Sequence, residues 1–442
     1  MKKTEVMFFF DTEDFTSETC ADATLQLAHL LEDEGIIGHF AIVGLFAEQL
    51  TNWGRSDVIQ ALHSHIIGHH TYGHSLHPTI VEMSEGEDYP AAHRRVMEKE
   101  SLALDMIKKH LETDEVLFAV PPGDSESYVA KYCYNRLGIP FYCGTVVHDT
   151  RNSLVEYCGM KHINYTESLE EMYIYESQEN EDILDFLATH DRVIVYTHPN
   201  ITVKREFWDQ LNYKHANLRE YGDWVEAEDR TPEEIAELRD KFRCLIRALK
   251  NDDRFEITDL RKLKSRLDKR PVKTITRSAL PEIKASLEAH LAPPRDGSYS
   301  VSEVFMSCVE LLRGGTLSPD TPTHGFLYAP QGITTKITLT RDEIVTAARG
   351  IDRDSFIPAS IKVGEVDVGP ADLLFAMLEV LTTDKNEITL EPRVQEVDMT
   401  DFPELRDFHM SSETWVHAYD FGDEYVSDRL RLQSWTLRYC ES

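Results

Sequence analysis

Three short stretches of this 442-residue chain gather side chains that could do chemistry. The first is Phe10-Asp11-Thr12-Glu13-Asp14, three carboxylates directly after an apolar run. Carboxylates crowded at a strand end repel one another unless a cation or a proton relieves them. A solvated turn or a helix start explains them equally well. The second is Gly68-His69-His70-Thr71-Tyr72-Gly73-His74-Ser75-Leu76-His77-Pro78. His70 and His74 are spaced i, i+4, which on a helix turns both imidazoles toward one point. Imidazole nitrogen suits borderline cations such as zinc. With 19 histidines in the chain, about one such pair arises by chance, and His65 with His69 makes another. Six histidines between His63 and His77 are the unusual feature, although buried structural imidazole is the plain reading for any one of them. The third stretch is Val193-Ile-Val-Tyr-Thr-His198-Pro199, a histidine leaving an apolar run, which on its own reads as structural more readily than catalytic.

These stretches need elements to hold them. Residues 6–10, 40–43, 116–120, 141–143 and 193–196 read as strands, and residues 23–34, 58–63, 94–110 and 128–137 as helices. Gly35 closes the first helix, and Gly138 with Pro140 ends the last. Strand–helix alternation of this kind predicts a parallel α/β sheet or barrel. Catalytic groups in such folds sit at the C-terminal ends of strands, where Asp11 and His198 both fall. Residues 205–267 read as helical and charged, with Thr231 capping a helix that begins at Pro232. The basic, Thr-rich stretch 269–281 carries two prolines and marks a domain boundary, giving a catalytic domain over 1–268 and a second over 269–442. The second half is a smaller α+β domain by its texture. Ser300 and Thr340 open capping boxes, Gly314-Gly315 ends a helix, residues 361–368 alternate like a hairpin around Gly364, and Gly369-Pro370 opens a helix over 371–381.

A chain of 442 residues that is 41% hydrophobic can fill two cores. Its net charge of −32 repels phosphate backbones and anionic headgroups, so neither nucleic acid nor a membrane surface is an expected partner. The apolar run at residues 6–10 is too short for a leader and ends in Asp11. The seven cysteines are scattered without a CxxC pair. A cytoplasmic location with reduced thiols is the expectation.

Taken together, the three stretches resemble the polysaccharide deacetylases, the NodB-homology carbohydrate esterase family. That family carries an aspartate pair after its first strand, an H-[S/T]-x-x-H metal motif and a late histidine after a strand. Two framework stretches match as well. Gly35-Ile-Ile-Gly-His-Phe-Ala-Ile-Val-Gly44 resembles the family's second strand ending in glycine. His65-Ile-Ile-Gly-His-His70-Thr71 resembles its G-H-E-I-G-N-H-T run, which sets the metal register on His70. The resemblance spans about residues 4–265 in order. It implies a distorted (β/α) barrel of about seven strands.

Carried over by position, the resemblance makes Asp11 the general base and Glu13 the metal-ligating carboxylate, in the family's D-x-[D/E] version, with Asp14 as the alternative ligand. His70 and His74 complete a site for one divalent metal, expected to be zinc, and His198 is the general acid. The chain departs from the pattern at the third motif. The family's R-x-P-x-G appears as Ala119-Val120-Pro121-Pro122-Gly123-Asp124, so Ala119 stands where an arginine orients the base. The acid partner of the late histidine is not identifiable from the motif; Asp149 and Asp191 are the candidates. The implied activity is hydrolysis of a linear C–N amide, removing an N-acetyl group from an amino sugar, either a small molecule or an oligosaccharide. Without an export signal, a precursor or nucleotide-linked sugar is expected rather than a wall polymer. Two other readings stand beside it. One is a carbohydrate-binding pseudoenzyme, which the missing arginine favours. The other is a related barrel hydrolase acting on a non-sugar amide such as a ureide or formamide.

Overall fold

The computed structural model describes residues 3–86, 88–123, 125–213, 219, 223–269, 274–318, 321–410 and 424–441. The chain divides into two compact units. One comprises Met1–Ser153, His162–Lys269 and His409–Val426; the other comprises Leu154–Lys161, Arg270–Phe408 and Ser427–Ser442.

The first unit is α/β, with a parallel sheet curled as a distorted (β/α) barrel. Its centre is β1 (Thr4–Thr12), in which Val6 to Phe10 are all buried. Strands of parallel sheets are covered on both faces and read as continuous apolar runs. Here Phe8 and Phe10 turn to one face, where their rings meet Phe242 at 5.7 and 6.1 Å. Phe9 turns to the other, stacked on His39 at 4.3 Å and edge-on to Phe118 at 4.9 Å. On one side β1 pairs in parallel with β2 (His39–Ile42), which puts Asp11 beside Ala41. Next come β3 (Ile66–His69), β4 (Phe118–Ala119) and β5 (Phe141–Gly144), each parallel to its neighbour. On the other side β1 pairs with the strand Arg192–Thr197, Phe10 opposite Thr197, and that strand pairs with Glu167–Ser168. The strand Phe255–Ile257 pairs with the start of β1. The C-terminal ends of β1, β3 and Arg192–Thr197 therefore lie along one edge of the sheet.

Several boundaries differ from the sequence expectation. The helix expected over 94–110 runs Tyr89–His110, because Asp88 caps Ala91 N and Pro90 sits in the first turn. The strand expected over 116–120 is regular only at Phe118–Ala119. The helix Gly44–Asn52 and strand β3 were not anticipated. Thr231 forms a full capping box with Glu234.

Gly68 holds β3 against β4. A β-carbon added there would land on the Phe118 ring. That ring is fully buried between Phe9 and His39. Gly68→Ala is therefore expected to cost about 1–3 kcal/mol through overpacking. Thermal unfolding measures it, and an unchanged Tm would show that the ring yields freely.

The second unit is α+β. Its core is the helix Pro370–Thr382, apolar on nearly every side, as a central helix must be. The helices Leu280–Ala289, Val301–Arg313 and Arg341–Gly350 contribute to the same core cluster. Ser300 and Thr340 cap the last two with full capping boxes. Two antiparallel pairs complete the unit, the hairpin Ile361–Val363 with Val366–Val368, and Ile337–Thr340 with Glu387–Leu390. No described helix is long and apolar enough to cross a membrane.

Candidate active site

The histidine-rich run separates into structural and presented imidazoles by how each ring nitrogen is used. A neutral imidazole has one donor and one acceptor. His65 accepts from Gly38 N at 3.0 Å and faces Ala28 O at 3.1 Å. His69 accepts from Thr71 N at 3.1 Å and faces Glu100 O at 3.2 Å. His39 lies 2.9 Å from Phe8 O and accepts from Leu260 N at 3.0 Å. All three rings are fully used, and burial pushes each below the ordinary histidine range, to about 4 for His39 and His69. The second i, i+4 pair, His65 and His69, is therefore framework.

His70 differs. It leaves the end of β3, its Nδ1 lies 3.1 Å from Val120 O, and its buried Nε2 has no partner. A ring fixed through Nδ1 with an unspent Nε2 lone pair is the usual preparation of a metal ligand. His74 reaches the same place, its ring centroid 4.8 Å from that of His70. The two do not share a helix. They converge because residues 71–75 form a turn in which Thr71 and His74 both take positive φ, 65° and 52°. A β-branched residue there is a genuine outlier. Thr71 Oγ1 accepts His74 N at 3.0 Å and Thr71 N is tied to His69, which holds the turn.

Glu13 meets both rings. Its Oε2 is 2.9 Å from His74 Nε2 and 3.9 Å from His70 Nε2. One ligand atom from each of Glu13, His70 and His74 lies within 4.8 Å of the others, the one such group among the described residues. Behind His74, Asp209 Oδ2 is 3.1 Å from Nδ1 and accepts from Ser75 Oγ at 2.7 Å. Burial opposes charge on His74, but Glu13 and Asp209 on either side hold it up at about 10. Burial likewise raises Glu13, but the two imidazoles pull its carboxyl below the usual range. Asn200 Nδ2 lies 3.4 Å from Glu13 Oε1. The donor set and the unpartnered His70 Nε2 fit a divalent cation of the zinc kind, whose binding would displace the proton on His74. Asp14 stands apart from this group. Its oxygens accept from Thr16 N, Thr16 Oγ1 and Cys20 Sγ at 2.9, 2.6 and 3.1 Å.

Asp11 and His198 face each other across the strand ends, Oδ2 to Nε2 at 3.7 Å. The partner of His198 is Glu170, neither Asp149 nor Asp191. Glu170 Oε1 lies 3.2 Å from Nδ1 and also accepts His198 N at 2.9 Å and Thr197 Oγ1 at 2.8 Å. Asp149 instead accepts from Arg151 N and Ser153 N, and Asp191 pairs with Arg151. Burial disfavours the imidazolium, but Glu170 foremost and then Glu13 and Asp11 raise His198 to about 9. Phe207 stands edge-on to the ring at 4.8 Å. The other oxygen of Asp11 accepts from the Tyr165 hydroxyl. Ala119 is buried in β4 opposite His69, and Asp124 lies outside the described residues. Glu170, Asp209, Tyr165 and Asn200 were missed from the sequence. Asn200, two residues beyond His198, is the one whose position gave a signal.

No family model matches the chain, and no curated protein does. Among solved structures it is similar to the Xyl-CE4 domain of a multidomain xylanase from the hindgut metagenome of Trinervitermes trinervoides (13% identity, TM-score 0.34, 61% of this chain and 93% of that one). It is also similar to a CE4 family pseudoenzyme from Bacillus anthracis (14%, 0.28, 45% and 55%). A 4-alpha-glucanotransferase from Thermococcus litoralis is a third (9%, 0.42, 71% and 53%). The chain spans little more than half of the last two. Scores this low describe a distant likeness and carry no inference about chemistry.

Proposed function

We propose that the first unit is a metal-dependent amide hydrolase that removes an N-acetyl group from an amino sugar. The observation that carries this reading is the buried Glu13, His70 and His74 group standing beside an acid–base pair, Asp11 and His198, on one sheet edge. Glu13, His70 and His74 would hold one divalent cation, with Asp209 and Val120 O orienting the two rings. When bound, that cation supplies Lewis-acid polarisation of the acyl group and of water. Asp11, held at one oxygen by Tyr165, takes the proton of the attacking water through the other. His198, kept protonated by Glu170, delivers its Nε2 proton to the departing amine, which is otherwise a poor leaving group.

The acid role sets a pH dependence. His198 gains protonation on folding, so its loaded form persists above the ordinary 6.5 and is lost as pH rises through about 9. A cation sharing Glu13 weakens one of the pulls that hold it up. The rate is expected to fall between these values, as a pH profile of kcat would show, and a profile still rising past 9 would remove His198 from the acid role.

The substrate is tested by acetate release from N-acetyl amino sugars, set against a formamide and a ureide. Release from the sugars supports the reading. Turnover confined to the non-sugar amides would move the reading to those substrates, and binding without turnover would make the chain a pseudoenzyme.

A further inference from the structure

We propose that Tyr165 is the positioning residue of the base, fixing the Asp11 carboxylate by a neutral hydrogen bond; this rests on the deacylase reading above. The Tyr165 hydroxyl donates to Asp11 Oδ1, while Oδ2 of the same carboxylate faces His198 Nε2 at 3.7 Å. One oxygen is thus pinned and the other aimed at the space between base and acid. The phenol is itself held. Its ring stacks on Tyr196 at 4.2 Å and 8°, and meets Phe9 edge-on at 6.1 Å. Its backbone N donates to Gly144 O at 3.0 Å, at the end of β5. The Tyr196 ring in turn stands edge-on to His198 at 6.0 Å, so a single aromatic wall carries the base's anchor and borders the acid. Position 119, an alanine, has no side-chain donor to offer.

A phenol and a guanidinium hold a carboxylate differently. Arginine adds a full positive charge and a bidentate fork. Tyrosine adds a single directed hydrogen bond and no formal charge. Burial, with Asp11 next, pushes the Tyr165 hydroxyl well above the usual phenol range, so it remains a donor.

Tyr165→Phe tests this, because it keeps the ring, the stack and the fold and removes only the hydroxyl. The kcat for acetate release is expected to fall ~10–100-fold, with KM held within about 2-fold, as loss of orientation predicts. Zinc content and Tm should match the native protein. In crystal structures of the two proteins, the Asp11 carboxylate should be turned from its native orientation in the variant. An unchanged kcat, an effect carried by KM alone, or an Asp11 that keeps its orientation would overturn the assignment. If the native protein releases no acetate, the deacylase reading falls on that result, and the orientation of Asp11 in the two structures still decides the role of Tyr165.

Discussion

His198→Ala is expected to lower kcat by about 10²–10⁴ while the protein keeps its metal and its fold, the usual worth of a positioned general acid. The imidazole is set for that role by contacts on both sides. Glu170 takes its Nδ1 and backbone N, and Nε2 looks toward Asp11. It contributes no atom to the Glu13, His70 and His74 group, so metal content should survive its removal. A packing role predicts a different pattern, because a truncated core side chain leaves a cavity and lowers stability. The His198 side chain is 18% exposed, so its loss opens a notch toward solvent rather than a closed void. Turnover, Tm and zinc content measured on one variant separate the two. A protein that melts early and keeps its turnover would make His198 a packing residue.

His70→Ala should fail in the opposite way, losing the metal and with it all turnover above background. Its buried Nε2 has no hydrogen-bond partner, and the ring is fixed from behind by Nδ1 against Val120 O. Removing one of three ligands should weaken zinc binding by far more than the ~10–100-fold typical of an outer partner. Asp209→Asn provides that comparison, since Asp209 meets His74 at Nδ1, on the side away from Glu13. Zinc titration of the three proteins should rank them native, Asp209→Asn, His70→Ala. A His70→Ala protein with native zinc affinity would break the assigned ligand set.

What the sequence made legible were features with local signatures. The run from Val6 to Phe10 announced a strand, and the acids after it fell at its end. The C′ glycine at Gly35, the N-cap at Thr231 and the capping boxes at Ser300 and Thr340 marked real helix ends. Strand β3 stayed hidden because Ile66-Ile67-Gly68-His69 is buried on both faces and too short to show a period. The spacing of His70 and His74 suggested a helix, whereas a turn with two left-handed residues brings them together. Three supporting groups, Glu170, Asp209 and Tyr165, were not legible. Glu170 lies 28 residues from His198, Asp209 lies 134 from Ser75, and Tyr165 lies 154 from Asp11. Only the tertiary fold brings such groups together, Asp209 from the helix Trp208–Tyr213, and nothing in their own neighbourhoods distinguishes them from surface acids and ordinary aromatics. The guesses Asp149 and Asp191 failed for that reason, being drawn to local turns and to Arg151.

Acetate release from an N-acetylated amino sugar, measured on the same protein as purified, after chelation and after zinc is restored, tests the metal-dependent chemistry most directly. The site geometry predicts turnover that disappears on chelation and returns with one equivalent of zinc per chain. Turnover that survives complete removal of the metal, or none at all from the zinc-loaded protein, would contradict it.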